Sequence, residues 1–440
     1  MERRLFMKAA LAGASLPLLT RLALGQDKKP ITFWYESASP ANQDNLKKLL
    51  IDPFNAAHPD SELSIDFRGS DLDKQMRIAM LSGGGPDIVF TAGPSYVASM
   101  AQAGQLLSLD DYAQKLGWND RLLPLFLDLG KYNGKLYALA KTYETLGLFY
   151  NKTMFDKNGW KAPTTIPELE ALAEEAKKAG LVPFGAGNAD WRPTNEWYVS
   201  IVLNSIAGPD NVYKALTGAI PWTDPSIVAA IDKLNEWWQK GYFGPNYFSL
   251  TTEQAFAQVP QGQAAMAPVG TWAFSNVATY FPQNNVEPGF VGFPSASGDP
   301  VYALGIGSTF SINAQSQNAD GAAAVLDMIF QPNFYSEMNW VWQGEWNLPL
   351  KDLSGVKIGG NVTPLYEEVM KTLSTAVGDG RYGYTSWTFL PPATDTYLVS
   401  GMEEVWLNKI KTADYLKKWN DIFKQEKDQG KVPAIPPRAN

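Results

Sequence analysis

Tryptophan recurs in this chain in segments that also carry hydrogen-bonding side chains. Trp34 is followed by Glu36, Trp191 and Trp197 bracket Arg192 and Asn195, Trp272 stands at a strand-to-helix corner, and Trp387 lies near Arg381. An indole can lie against the C–H face of a sugar ring while carboxylates, amides and guanidinium groups take the hydroxyls. The ring supplies desolvated area at small entropic cost, and the polar groups fix orientation. Each ring alone reads equally well as half-buried structure, because Trp is usually buried over most of its surface. The recurrence in separate segments is what favours a ligand platform. Trp237, Trp238 and Trp406 fall on helical patterns and are assigned to the core.

Enzyme signatures are missing. The chain has no phosphate-binding Gly-rich loop ending in Lys-Ser/Thr, no His-Glu-x-x-His and no Gly-x-Ser-x-Gly. Its zero cysteines exclude disulfides, thiolate metal sites, cysteine nucleophiles and a lipidated cysteine. The single histidine, His58, lies at a helix end and reads as a solvated loop residue. One Gly-x-Gly-x-x-Gly occurs at Gly378–Gly383, but it follows a helix and lacks a βαβ unit, so it reads as a loop. Neither a cofactor nor a metal is expected.

The 440 residues are 45% apolar and 19% charged, enough to bury sizeable cores in two or three domains' worth of chain. The net charge is −8; Arg3, Arg4, Lys8 and Arg21 against Glu2 give residues 1–25 a charge of +3, leaving −11 on the rest. Such a body repels phosphate backbones, so nucleic acid is not an expected partner. Residues 1–25 read as a signal peptide: a basic start, an apolar run from Ala9 to Leu19 too short to span a bilayer, and small residues before Gln26. Arg3-Arg4 also resembles a twin-arginine export signal.

The elements that must position the rings alternate. A strand at Ile31–Tyr35, a helix over Leu46–Phe54, a strand at Leu63–Phe67, a helix capped by Asp71 and a strand at Asp87–Phe90 predict a doubly wound α/β opening. Asn133-Gly134 signals a hairpin. A buried strand over Ala264–Val269 stops at Gly270 and turns into a helix, which puts Trp272 at the carboxyl edge of a sheet, where α/β proteins bind ligands. Short strands are expected at 290–293, 301–304 and 308–312, the last two separated by a flexible crossing at Gly305-Ile306-Gly307. Helices are expected over 318–330, 362–376, 395–411 and 413–428, then an extended strap at Val432–Pro437.

Five motifs in order, Gly84–Phe90, Tyr132–Leu136, Glu144 with Leu148–Lys152, Gly262–Asn276, and Ser311–Ala314 with its following helix, resemble the extracellular solute-binding proteins of bacterial ABC importers. The likeness covers nearly all of the chain after residue 25 and is strongest to the group that includes the maltose-binding protein. It implies an α/β fold of two lobes joined by hinge strands across a ligand cleft, with lobes of 27–142 plus 303–338 and 143–302 plus 339–440. Glu144 matches the family's ligand-binding carboxylate, Trp272 its stacking ring, and Glu36 a polar contact at the end of strand one. Gly305 and Gly307 match a close backbone approach to ligand, and Trp387 a further ring. Thr91–Ser95 departs from the maltose-binding protein, so maltose is not carried over.

The expectation is an exported, non-enzymatic, monomeric periplasmic receptor that closes on a di- or oligosaccharide and delivers it to a membrane permease. Its expected contacts are Trp34, Glu36, Asp71, Glu144, Trp191, Arg192, Asn195, Trp197, Trp272, Gly305, Gly307, Arg381 and Trp387. A glycerophosphodiester would instead require a cationic pocket and a polyamine an acidic one. A secreted glycoside hydrolase would require two carboxylates flanking the scissile bond.

Overall fold

The computed structural model describes residues 28–191, 194–356 and 364–438. The leader at 1–25 and Arg192 therefore lie outside the described residues.

Period-two burial builds the first sheet: in β1 (Lys29–Tyr35) Ile31, Phe33 and Tyr35 are buried while Thr32 and Trp34 face the other way with part of their surface exposed. β1 runs parallel to both β2 (Ser61–Phe67) and β3 (Ile88–Thr91). All four residues of β3 are buried, as expected for a strand covered on both faces. The Asn133-Gly134 turn joins β4 (Lys131–Tyr132) to β5 (Lys135–Leu136), with φ of 48° and 78° at its two centre residues.

Two antiparallel strands then cross between lobes. β6 (Leu139–Glu144) leaves the first lobe and leads directly to β7 (Leu146–Asn151) of the second sheet, which also holds β8 (Val182–Phe184), β9 (Ala264–Gly270) and β10 (Pro288–Gly292) in the order β10-β7-β9-β8. The return strand, β11 (Ala303–Ile312), pairs with β6, then with β3, and at its start with the short β12 (Gly383–Tyr384). Leu304 and Ile306 belong to the second core, Phe310 and Ile312 to the first, so β11 spans the junction.

β11 is one strand, not the two short ones expected. Gly305 pairs with Glu144, and Gly307 falls at a register shift between Ile306 and Ser308, where a bulge accommodates it without ending the strand. The second core is sealed by helices whose starts are locally encoded: Thr165 and Glu168 form a reciprocal capping box on the Ile166–Lys178 helix. A helix at Pro332–Val341, not expected from sequence, leads to Trp342, Trp346, Leu348 and Leu350, which pack in the first core. The resemblance puts Trp342, Trp346, Leu348 and Leu350 in the second lobe, within 339–440; instead their side chains complete the cover of the first sheet. The strap at 432–437 lies along β12, accepting hydrogen bonds at the Pro436 and Pro437 carbonyls from Tyr384 and Tyr382.

Candidate functional site

Between the two cores lies a cleft of about 450 Å³. The first lobe supplies Glu36 just beyond β1, Leu72 and Asp73 at the start of the Leu72–Leu81 helix, and Phe90 and Ala92 at the end of β3. The crossing strands supply Thr142, Glu144, Gly307 and Ser308. The second lobe supplies Asp190, Trp191, Glu196, Trp197, Thr252, Trp272 and Trp387. Carboxyl ends of parallel strands thus open onto the cleft, the usual ligand position in α/β sheets.

Trp272 sits on the short helical turn Thr271–Ala273 between β9 and the Phe274–Gln283 helix. Its ring folds back over Gly270, where a Cβ would lie 1.9 Å from it, so only glycine admits this corner. Trp197 lies 5.0 Å from it between ring centroids and Trp387 6.1 Å, making a three-indole wall.

Against the indoles stands a carboxylate group arranged around one buried cation. Lys141 is fully buried on β6; its Nζ donates to the Tyr35 hydroxyl at 2.7 Å and to Glu345, and lies 3.9 Å from Glu36. The rings of Tyr35, Phe90 and Trp346 surround it. Burial and the Glu345 charge push Glu36 up to about 8 against the pull of Lys141. Burial, then Glu345, raises Glu144 well above the carboxylate range, although Lys141 and the Trp387 indole N–H favour its charged form. Burial lifts Asp73 to about 6. Glu196 and Asp395 hydrogen-bond to each other, and burial raises both, so the pair holds a proton between two carboxyl groups.

These carboxyls bind protons more tightly folded than unfolded. Glu36 holds its proton up to about 8 against an ordinary 4.5, so the folded form carries extra protons across that window and loses stability as pH rises through it. We expect the ligand-free protein to melt highest near pH 5 and to lose on the order of 1–3 kcal/mol by pH 8. A melting temperature that is flat or rising over that range would contradict the raised values.

Gly307 and Gly305 have a defined reason. A Cβ at 307 would lie 2.5 Å from the Glu144 carboxylate, and one at 305 would lie 2.8 Å from the Trp387 ring. Gly307→Ala should therefore displace the Glu144 carboxylate, costing about 1–3 kcal/mol of stability and weakening ligand binding. Calorimetric titration with wild-type affinity would remove Glu144 from the contact set.

Of the residues singled out by sequence, Glu36, Glu144, Trp191, Trp197, Trp272, Gly307 and Trp387 line the cleft, and Gly305 packs directly behind Trp387 and Glu144. Four do not line it. Trp34 lies on the opposite face of β1 from Tyr35 and is covered by the Arg68 guanidinium at 3.9 Å. Asp71 is exposed and makes no side-chain cap; its neighbours Leu72 and Asp73 reach the cleft instead. Asn195 is fully buried, donating to the Val399 carbonyl at 3.1 Å and accepting from Tyr247, which ties its helix to the core. Arg381 is exposed and paired with Asp379 at 2.7 Å, in the loop after the Pro364–Gly378 helix that contains the Gly-x-Gly-x-x-Gly match. His58 ends a helix and stacks on Phe54 at 4.3 Å.

Sequence reasoning missed Asp73, Asp190, Glu196, Glu345 and Lys141. Glu345 is placed by the glycine before it: Gly344 has φ of 86°, and a Cβ there would lie 2.3 Å from the Thr271 carbonyl, which pins this turn to the tryptophan corner.

Two α/β lobes, paired crossing strands and a ligand-sized cleft lined from both sides define a two-lobed binding protein. The chain belongs to the family of bacterial extracellular solute-binding proteins, which matches residues 37–333. Among curated relatives it is 26% identical over 268 residues to an uncharacterized ABC transporter extracellular-binding protein of Pyrococcus horikoshii, covering 59% of this chain and 58% of that one. It is 26% identical over 279 residues to a probable sugar-binding periplasmic protein of Brucella melitensis, covering 61% and 64%. The chain thus spans about three-fifths of the length of these relatives. A solved chitin oligosaccharide binding protein superposes with a TM-score of 0.79 at 20% identity, covering 91% of this chain and 99% of that one, which is a likeness of fold.

Proposed function

We propose that the chain is the solute receptor of an ABC importer: exported, cleaved near Gly25-Gln26, monomeric, and closing on a carbohydrate of more than one ring that it passes unaltered to a membrane permease. The observation that carries this reading is the wall of Trp197, Trp272 and Trp387 lining one cleft together with Glu36 and Glu144. Flat apolar rings suit the C–H face of a sugar, and carboxylates accept from its hydroxyls. A groove running on from the cleft past Ser37, Asp190 and Thr252 gives room for further rings. Two of the similar proteins are described by sugar binding. Ligand contacting both lobes favours the closed state, because only that state offers all its contacts.

The acidic lining favours one second reading, a polyamine. A glycerophosphodiester is disfavoured, since no lysine or arginine is among the described lining residues. A thermal-shift screen of mono-, di- and trisaccharides against phosphoesters and amines tests the choice. The right ligand at a hundred times its dissociation constant should add about 2.7 kcal/mol. A shift with an amine or phosphoester and with no saccharide would overturn the carbohydrate reading.

A further inference from the structure

Every polar side chain that the described residues present to the cleft is a carboxyl, a hydroxyl or an indole N–H. Glu36, Asp73, Glu144, Asp190, Glu196 and Glu345 place six carboxyl groups around about 450 Å³, with no lysine, arginine, histidine, asparagine or glutamine among the described lining residues. Among the described residues the cations acting on these carboxyls are Lys141, buried and committed to Glu345 and Tyr35, and Arg77, which acts on Asp73 from an exposed position. Among the described residues no three acidic side chains converge to hold a metal ion. Ser308 supplies a separate indication of a ligand: it lines the same cleft, is 1% exposed, and its Oγ has no hydrogen-bond partner. A buried hydroxyl left in that condition costs free energy until something occupies the space beside it.

We propose that the cleft selects a saccharide bearing a protonated amine, an amino sugar whose nitrogen is free and not acylated. The proposal rests on the carbohydrate reading and names its charge class. An ammonium group brings donors and a positive charge, so it pairs with the lining carboxyls in their ionised, acceptor-only form, whereas a neutral hydroxyl offers them no charge partner. A cation also favours the ionised form of the carboxyls that burial raises, at Glu36 and Glu144 with the Glu345 charge added, and indole faces attract it. The indole wall, with rings 5.0 and 6.1 Å apart, favours a flat-faced sugar over a linear polyamine, which has no such face to cover it.

The test is calorimetric titration of the full chain, near neutral pH, with four probes: the glucosamine dimer with free amines, its N-acetylated counterpart, cellobiose, and spermidine. The free-amine dimer should bind about tenfold or more tightly than either neutral dimer, since a hydrogen bond between charged partners is about twice as strong as a neutral one. Its affinity alone among the sugars should fall as salt is raised. Asp73→Asn should narrow the preference without lowering the melting temperature of the ligand-free protein. Equal or tighter binding of a neutral dimer overturns the proposal and leaves the carbohydrate reading standing. Binding of spermidine and of no sugar overturns both. Binding of none of the four overturns the proposal, and the saccharide screen above then decides the carbohydrate reading separately.

Discussion

Replacing Trp272 with alanine should remove most of the ligand-induced stabilisation while the ligand-free protein stays folded. The indole is half-buried, wedged between Trp197 and Trp387, and part of its surface is left to the cleft. Truncating an anchoring aromatic costs about 2 kcal/mol or more of binding, which raises the dissociation constant about 30-fold. A ligand concentration that adds about 2.7 kcal/mol to the wild type would then add only about 0.9 kcal/mol to the variant. The ligand-free melting temperature should fall by only a few degrees, because Trp197 and Trp387 are themselves buried and keep the wall in place. An undiminished ligand shift would sink the platform role. Collapse of the ligand-free protein would make the ring a core residue.

Lys141→Met should be the most damaging single change to stability. The lysine is the buried cation that Glu345, Glu36 and Glu144 share, and its Nζ bonds both Tyr35 and Glu345. Methionine fills the volume but leaves those carboxyls to repel one another in a poorly solvated space. Breaking a buried ion pair from one side costs about 3–5 kcal/mol, or roughly 10 °C for a lobe of this size. The loss should be smaller at pH 5 than at pH 8, because Glu36 is then protonated and has no charge to compensate. Adding Glu345→Gln should recover part of it, which a double-mutant cycle would measure. A Lys141→Met protein that melts with the wild type at pH 8 would show that water, and not the lysine, neutralises this cluster.

The Trp272 corner was legible before folding because its cause is local. A buried run ending at Gly270 before a large ring forces a strand-to-helix turn, and a Cβ at 270 would collide with that ring. Glu144 was legible through its motif, and its register opposite Gly305 gives that motif a physical meaning. Trp34 misled because composition does not say which face of a strand a ring occupies. Alternation does: Ile31, Phe33 and Tyr35 are buried together, so Trp34 points away from them. Asn195 misled for the opposite reason. All eight residues of the Asn195–Val202 helix are buried, so no polar stripe marks the side that meets the cleft, and Glu196 faces it instead.

What the chain determined by itself were most of its elements, their order, and the alternation of the α/β opening; the second lobe was implied by the resemblance of its motifs. Those elements depend on spacings of two or about four residues and are readable at short range. Only the tertiary structure decided the electrostatic character of the cleft. Lys141 and Glu345 are 204 positions apart, and Glu36 follows β1 while Glu144 ends β6. Whether such groups neutralise or crowd one another depends on distance through a low-dielectric interior, which no local pattern encodes. The chain supplied the rings and the acids; the crossing of β6 and β11 brought them to one cleft.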